Sequence, residues 1–316
     1  MIRHSLWRTM AWATLAVGLA WIPAQAQQHP VPPSTVMPPE RFTTVFGQTM
    51  AYYDISNGPV LVLVHGHGTS ATIDWGQVIR PLSEKYRVIA IDNIGFGDSA
   101  KPAIAYTMQT YVDFLAEFLR QMNIKHFYLD GESMGGGIVE LYAIEAAQPG
   151  SNLPQVDKLI LSDPAAPVPS TPTDEERSKH DTGARPAGLI PATPEEYKKG
   201  LDAVLFTTKD YATDAYARDV WQLLLRYNFN PSLSPFHPGP PTPLQQWTIE
   251  HTKDIHVPTL IVWGQDDKLI PVDHADYIHQ QIAGSELWVV PETGHAVGME
   301  KPNLYVEKVN SFLLGK

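Results

Sequence analysis

Short apolar runs separated by polar, glycine-containing turns dominate the chain beyond residue 40. The runs at 60–64, 88–91, 127–129, 159–161, 260–263 and 287–290 are almost wholly apolar, as expected for strands covered on both faces of a sheet. Segments 42–46 and 50–55 predict an antiparallel pair that turns around Gly47. Between these runs the apolar spacing becomes helical. Tyr111, Phe114, Leu115, Phe118, Leu119 and Met122 form one stripe, and Tyr305, Val309, Phe312 and Leu313 form another. Both stripes read as core faces. The alternation predicts an α/β fold: a mostly parallel central sheet flanked by helices.

The rhythm breaks between residues 167 and 246. A polar, charged run at 171–185 is followed by two amphipathic helices and a proline-dense stretch at 231–243. Thr193-Pro194-Glu195-Glu196 carries the signature of a capping box with proline at the first helical position. The second helix places Tyr216, Val220, Leu223, Leu224 and Tyr227 on one stripe. Strand patterning resumes at Val257. We therefore expect a core of residues 40–166 and 247–316, with residues 167–246 as a helical cap, or lid. The cap's aromatic residues, Phe206, Tyr211, Tyr216, Trp221, Tyr227, Phe229 and Phe236, suit either an apolar substrate wall or the cap's own core.

The N-terminus follows a different pattern. Arg3 and Arg8 are the only charged residues before Glu40, apart from the chain end, and an apolar run from Met10 to Ile22 follows them. Ala24-Gln25-Ala26 then presents small residues at the two positions read by a signal peptidase. The run is shorter than the ~20 residues of a spanning helix. Residues 1–26 are expected to be a cleaved signal peptide, residues 27–39 a Pro/Gln-rich flexible or extended lead-in, and the mature chain periplasmic or secreted, with no stable membrane insertion. Cleavage after Ala26 leaves 21 basic against 34 acidic residues, a balance of −13. So acidic a surface repels nucleic acid and anionic membrane. The chain contains no cysteine, which excludes disulfides, thiolate metal sites and a cysteine nucleophile.

The candidate chemistry starts at Gly131-Glu132-Ser133-Met134-Gly135, a G-x-S-x-G sequence between an apolar strand and an apolar helix. In that context the serine sits on a sharp strand-to-helix turn with its hydroxyl exposed, and the helix N-terminus faces the reacting oxygen. A serine hydroxyl is a poor nucleophile until a neighbouring imidazole takes its proton. Of the 12 histidines, His295 is singled out by the preceding Gly294 and by its place before the last helix. A carboxylate is then needed to orient the imidazole. The adjacent Asp266 and Asp267, and Asp163 at another strand end, are the candidates.

These motifs, in this order, resemble the α/β-hydrolase family over essentially the whole mature chain. His65-Gly66-His67-Gly68 resembles its oxyanion loop, and the run from Asp92 to Ser99 (Asp-Asn-Ile-Gly-Phe-Gly-Asp-Ser) resembles its D-x-x-G-x-G-x-S turn. Gly131–Gly135 resembles the nucleophile elbow, Gly264–Pro271 the acid loop and Gly294-His295 the histidine loop. The resemblance implies Ser133 as nucleophile, His295 as base and, by register, Asp267 as its acid, with Asp163 a rival. It implies an oxyanion hole built from the backbone N–H groups of His67 and Met134. His65 is expected to support the loop, Asp92 and Asp98 to fix a turn, and Glu132 to make a supporting hydrogen bond.

The implied reaction is hydrolysis of carboxylic esters through an acyl-enzyme, with neither metal nor organic cofactor and a neutral or apolar small-molecule substrate. The same residues serve carbon–carbon bond hydrolysis, acyl transfer, perhydrolysis or short-peptide hydrolysis, and a non-catalytic binding protein is the remaining alternative.

Overall fold

The computed structural model describes residues 29–169, 190–208, 211–228 and 241–315. The signal-like segment, the polar run at 171–185, Phe229 and Phe236 lie outside them.

Eight strands form one sheet: β1 (Glu40–Val45), β2 (Gln48–Ile55), β3 (Val60–Val64), β4 (Arg87–Ile91), β5 (His126–Glu132), β6 (Gln155–Ser162), β7 (Thr259–Gly264) and β8 (Glu286–Val290). Their order across the sheet is β1-β2-β4-β3-β5-β6-β7-β8. From β4 to β8 every pairing is parallel, and β2 alone runs against its neighbours. The β1–β2 hairpin turns through Phe46 and Gly47, both at positive φ (50° and 76°), with Val45 facing Gln48. That is the two-residue turn whose twist matches the flanking strands.

The core helices are α1 (Ala71–Trp75), α2 (Ile79–Ser83), α3 (Met108–Gln121) and α4 (Met134–Ala147). Between β6 and β7 come α5 (Pro194–Gly200), a π-helical turn (Leu201–Leu205), α6 (Asp214–Arg226) and α7 (Pro243–His251). After β7 follow α8 (Asp273–Gln281), α9 (Val297–Glu300) and α10 (Pro302–Leu314). The helical stripes read from sequence are buried: Tyr111, Phe114, Leu115, Phe118 and Leu119 on α3 close one face of the sheet, and Tyr305, Val309, Phe312 and Leu313 on α10 close the other. Burial on both faces explains why β3 and β4 lack any polar alternation.

Several expectations change in detail. Thr193 caps α5 by accepting from the Glu196 N–H, but the reciprocal half of the box is absent because Glu196 accepts from the Ala192 N–H instead. Residue 247, the expected core boundary, falls inside α7. Pro243 starts that helix, and its Leu244 and Trp247 pack on the sheet's core. The lead-in from His29 onward is tied down. Val31 exchanges two hydrogen bonds with the Gln77 side chain, and the Ser34 N–H and hydroxyl both donate to Asp219 on α6. Polar side chains of Gln77 and of α6 thus hold its backbone, and Pro33–Thr35 forms a turn of 3₁₀-helix within it, not extended chain.

Candidate functional site

The loops that follow β3, β5, β7 and β8 meet at the carboxyl edge of the sheet, the edge at which open α/β sheets form their ligand crevice. Ser133 stands between the end of β5 and the start of α4. Its backbone is at φ 53°, ψ −116°, a conformation that costs a non-glycine residue about 1–3 kcal/mol and persists only where its surroundings enforce it. The surroundings are tight. A Cβ on Gly135 would lie 2.1 Å from the Val64 carbonyl oxygen, and one on Gly131 2.3 Å from the Gly135 carbonyl oxygen. Only glycine lets β3, β5 and α4 approach so closely, which explains the two fixed glycines of the elbow.

The expected partners converge on this hydroxyl. His295 Nε2 lies 2.9 Å from Ser133 Oγ, and His295 Nδ1 lies 2.7 Å from Asp267 Oδ2. Asp267 is itself held by the Leu269 and Ile270 N–H groups, which donate to Oδ1 at 2.7 and 3.0 Å. Its neighbour Asp266 is exposed. Asp163 is the second acid near the imidazole, with a carboxylate oxygen within 4.8 Å of the relevant His295 and Asp267 atoms. It accepts instead from the Gly264 N–H (2.8 Å) and the Val297 N–H (3.4 Å), stapling the end of β7 to the start of α9. The acid on the ring is therefore Asp267.

Burial opposes protonation of His295. Hydrogen bonding and charge from Asp267, with charge from Asp163 and Asp74, outweigh it and raise the imidazole pKa above its ordinary 6.5. Burial carries the Asp163 carboxyl up to about 7. Accepting a proton from Ser133 at Nε2 requires the tautomer with hydrogen on Nδ1, which the Nδ1–Asp267 contact selects.

The glycine-histidine loop lies against Ser133: a Cβ on Gly66 would stand 3.1 Å from Ser133 Cβ. His65 is wholly buried. Its Nε2 accepts from the Asn93 N–H at 2.9 Å and its Nδ1–H donates to the Gly66 carbonyl at 2.7 Å. Burial depresses its pKa to about 4, so it is a neutral brace for the loop. Asp92 fixes the neighbouring turn, accepting from the Ala71 and Asp98 N–H groups, both at 2.8 Å. His67 reaches the cavity wall, and burial lowers its pKa too. Met134 begins α4, where helix geometry leaves N–H groups without intrahelical acceptors.

In front of Ser133 opens a cavity of about 340 Å³. Its apolar wall includes Ile73, Leu205, Ile270, Ala296 and Met299, and its polar wall includes Thr69, Asp74, Glu132 and Tyr197. None of the described aromatic residues expected as a substrate wall lines it. Phe206, Tyr211, Tyr216 and Tyr227 form a core between the insertion and α1. Trp221 is half-buried, its indole N–H donating to the Pro191 carbonyl. Tyr197 and Leu205 reach the cavity in their place, and nothing in their sequence context marks them. The sequence also passes over Asp74, whose Oδ2 accepts from the Gly66 N–H (2.8 Å) and the Thr69 hydroxyl (2.9 Å). An acid one turn into a helix that follows a glycine loop is a weak signal for such a brace. Glu132 departs from expectation: its Oε1 is buried without a hydrogen-bond partner among the described residues.

Comparison with known proteins gives a consistent setting. Residues 59–302 match the profile of the alpha/beta hydrolase fold family. A curated relative, the 2-hydroxy-6-oxo-6-(2'-aminophenyl)hexa-2,4-dienoic acid hydrolase of Metapseudomonas resinovorans, is 30% identical over 283 residues, 87% of this chain and 90% of the relative. Among solved structures, a meta-cleavage product hydrolase from Pseudomonas fluorescens superposes with TM-score 0.72 at 24% identity, covering 87% of this chain and 97% of the other. Naproxen esterase from Bacillus subtilis superposes with TM-score 0.70 at 19% identity, over 89% and 94% of the two chains.

Proposed function

The chain belongs to the α/β-hydrolase family, and from that premise we propose that it is an exported serine hydrolase that cleaves carboxylic esters through an acyl-enzyme on Ser133. The observation that carries the reading is the hydrogen-bonded series Ser133 Oγ, His295, Asp267, with contacts of 2.9 and 2.7 Å. Export rests on the charge and apolar pattern of residues 1–26.

In this reading Ser133 Oγ attacks the ester carbonyl as its proton passes to His295 Nε2. Asp267 stabilises the imidazolium and keeps its ring oriented. The negative charge on the carbonyl oxygen is held by the backbone N–H groups of His67 and Met134, which need no reorganisation at the moment of attack. Collapse breaks the C–O bond, and the imidazolium returns its proton to the leaving alkoxide. Water then attacks the acyl-enzyme, giving a proton to Nε2. The acid departs and the Ser133 hydroxyl is restored. The cavity's apolar wall suits the acyl or alcohol portion of a neutral ester.

A second reading, hydrolysis of a carbon–carbon bond, is favoured by the names of the dienoic acid hydrolase at 30% identity and the meta-cleavage product hydrolase. Both chemistries use an activated serine, so labelling by a fluorophosphonate should be seen in the wild-type protein and absent in Ser133→Ala. A panel of p-nitrophenyl esters set against a 2-hydroxy-6-oxo-dienoic acid separates the two. Turnover of the dienoic acid with inert esters would overturn ester hydrolysis. Absence of labelling would overturn both readings.

A further inference from the structure

Two carboxyl side chains on the cavity wall have no part in the series from Ser133 to Asp267. Glu132 ends β5 and is 5% exposed, Asp74 lies on α1 and is 4% exposed, and both line the cavity. Their environments differ. Asp74 has its Oδ2 held by the Gly66 N–H and the Thr69 hydroxyl. Glu132 has no such support: its Oε1 is buried without a partner among the described residues. A buried acceptor without a donor carries its desolvation cost uncompensated, so Glu132 is suited to accept a hydrogen bond from a group that enters the cavity.

The charges around this end of the cavity are one-sided. No lysine or arginine is among the described lining residues. Burial disfavours the charged form of His67, and the positive form of His295 is already matched by Asp267. Burial first, then repulsion from Asp163, Asp74, Asp130 and Asp267, pushes the Glu132 carboxyl well above the usual carboxylate range. A carboxylate entering here would be stripped of water beside Asp74 with no lysine or arginine to offset its charge, which disfavours its binding. An ammonium group would meet the reverse situation, facing Asp74 and supplying Glu132 with the donor that it lacks.

We propose that Asp74 and Glu132 form an acidic recognition site at the polar end of the Ser133 cavity, accepting substrates that carry a protonated amine or no charge there and rejecting those that carry a carboxylate. The site rests on Ser133 being the reacting centre, and it sets this chain apart from relatives named for a dienoic acid.

Binding tests the charge preference without turnover. Benzylammonium and benzoate, matched in size, are titrated by calorimetry near neutral pH into the wild-type protein, Glu132→Gln and Asp74→Asn, with each variant checked by thermal melting. The wild type should bind benzylammonium at least about tenfold more tightly, a difference of ~1.4 kcal/mol. An acidic surface attracts cations generally, so the preference must shrink at least threefold, by roughly 0.6 kcal/mol, in a folded variant, and on occupying the cavity with a fluorophosphonate adduct. Benzoate binding as tightly as benzylammonium, or a preference untouched by either variant and by the adduct, would overturn the proposal. If one variant fails to fold, the other and the adduct still decide.

Turnover of ethyl butyrate, β-alanine ethyl ester and monoethyl succinate then separates this inference from the reading on which it rests. Cleavage of the first two at least about tenfold faster in kcat/KM than the third supports both. Equal cleavage of all three leaves the hydrolase standing and removes the recognition site. Inertness to all three, with selective benzylammonium binding retained, removes ester hydrolysis and leaves the recognition site.

Discussion

His295 sits where burial and charge pull in opposite directions, and the outcome sets a pH dependence. Burial acts to lower its pKa, but Asp267, Asp163 and Asp74 together raise it above 6.5. Only the neutral ring can take the Ser133 proton, so turnover should fall as pH drops through a value higher than the ordinary histidine one. The acid limb of kcat/KM for a neutral ester checks this, and an inflection at or below 6.5 would contradict it. The sign for stability is opposite. The raised pKa stabilises the fold fully below the unfolded value, and that contribution is lost as pH rises through the folded one. The acid pair gives a second test. Asp267→Asn should lower kcat by about 10⁴-fold because the ring loses its orienting carboxylate, whereas Asp266→Asn, at an exposed site, should change it less than about threefold. Equal losses in the two variants would reverse the assignment.

At the scale of elements, the insertion between β6 and β7 bears on selectivity through only a few described residues. Tyr197 on α5 and Leu205 on the π-helical turn line the cavity, while α6 faces inward with the insertion's own core. If the insertion acts as a lid, Tyr197→Ala should raise kcat/KM for p-nitrophenyl octanoate relative to the acetate by about tenfold, through the room it opens beside the acyl chain. Trp221→Ala should leave that ratio unchanged, because Trp221 lies off the cavity. The reverse result, with Trp221 controlling chain length, would sink this view of the lid. Glycines in the elbow act at the same scale: they permit the close approach of β3, β5 and α4 that holds Ser133 at positive φ.

For the whole molecule, two apolar cores lie on opposite faces of the sheet, and a third joins the insertion to α1 and to the loop carrying His295. The lead-in spans that third junction, bonded to Gln77 before α2 and to Asp219 on α6. Arg226 at the end of α6 pairs with Asp98 in the core turn. Processing after Ala26 would leave this strap in place, since the contacts that form it involve residues from Val31 onward. On the proposed export, N-terminal sequencing of the processed protein should give Gln27 as its first residue. Recovery of the intact Met1 end would overturn both export and processing.

Sequence alone determined the strand series, the core stripes and the chemistry-bearing loops, because both-face burial and helical amphipathicity impose periods that survive in one dimension. It also determined the elbow, since a strand-to-helix turn around serine needs glycines at set offsets. Which carboxylate would touch His295 was open among Asp266, Asp267 and Asp163 until a family register was invoked, because all three sit near the same strand ends. The tertiary structure decided it by turning Asp267 onto Nδ1, leaving Asp266 in solvent and committing Asp163 to the backbone of Gly264 and Val297. It also decided that Tyr197, Asp74 and Glu132, rather than the insertion's larger aromatic stripe, face Ser133. Those three come from separate elements, and which side of each faces the cavity depends on how the elements pack together. No local spacing encodes that packing.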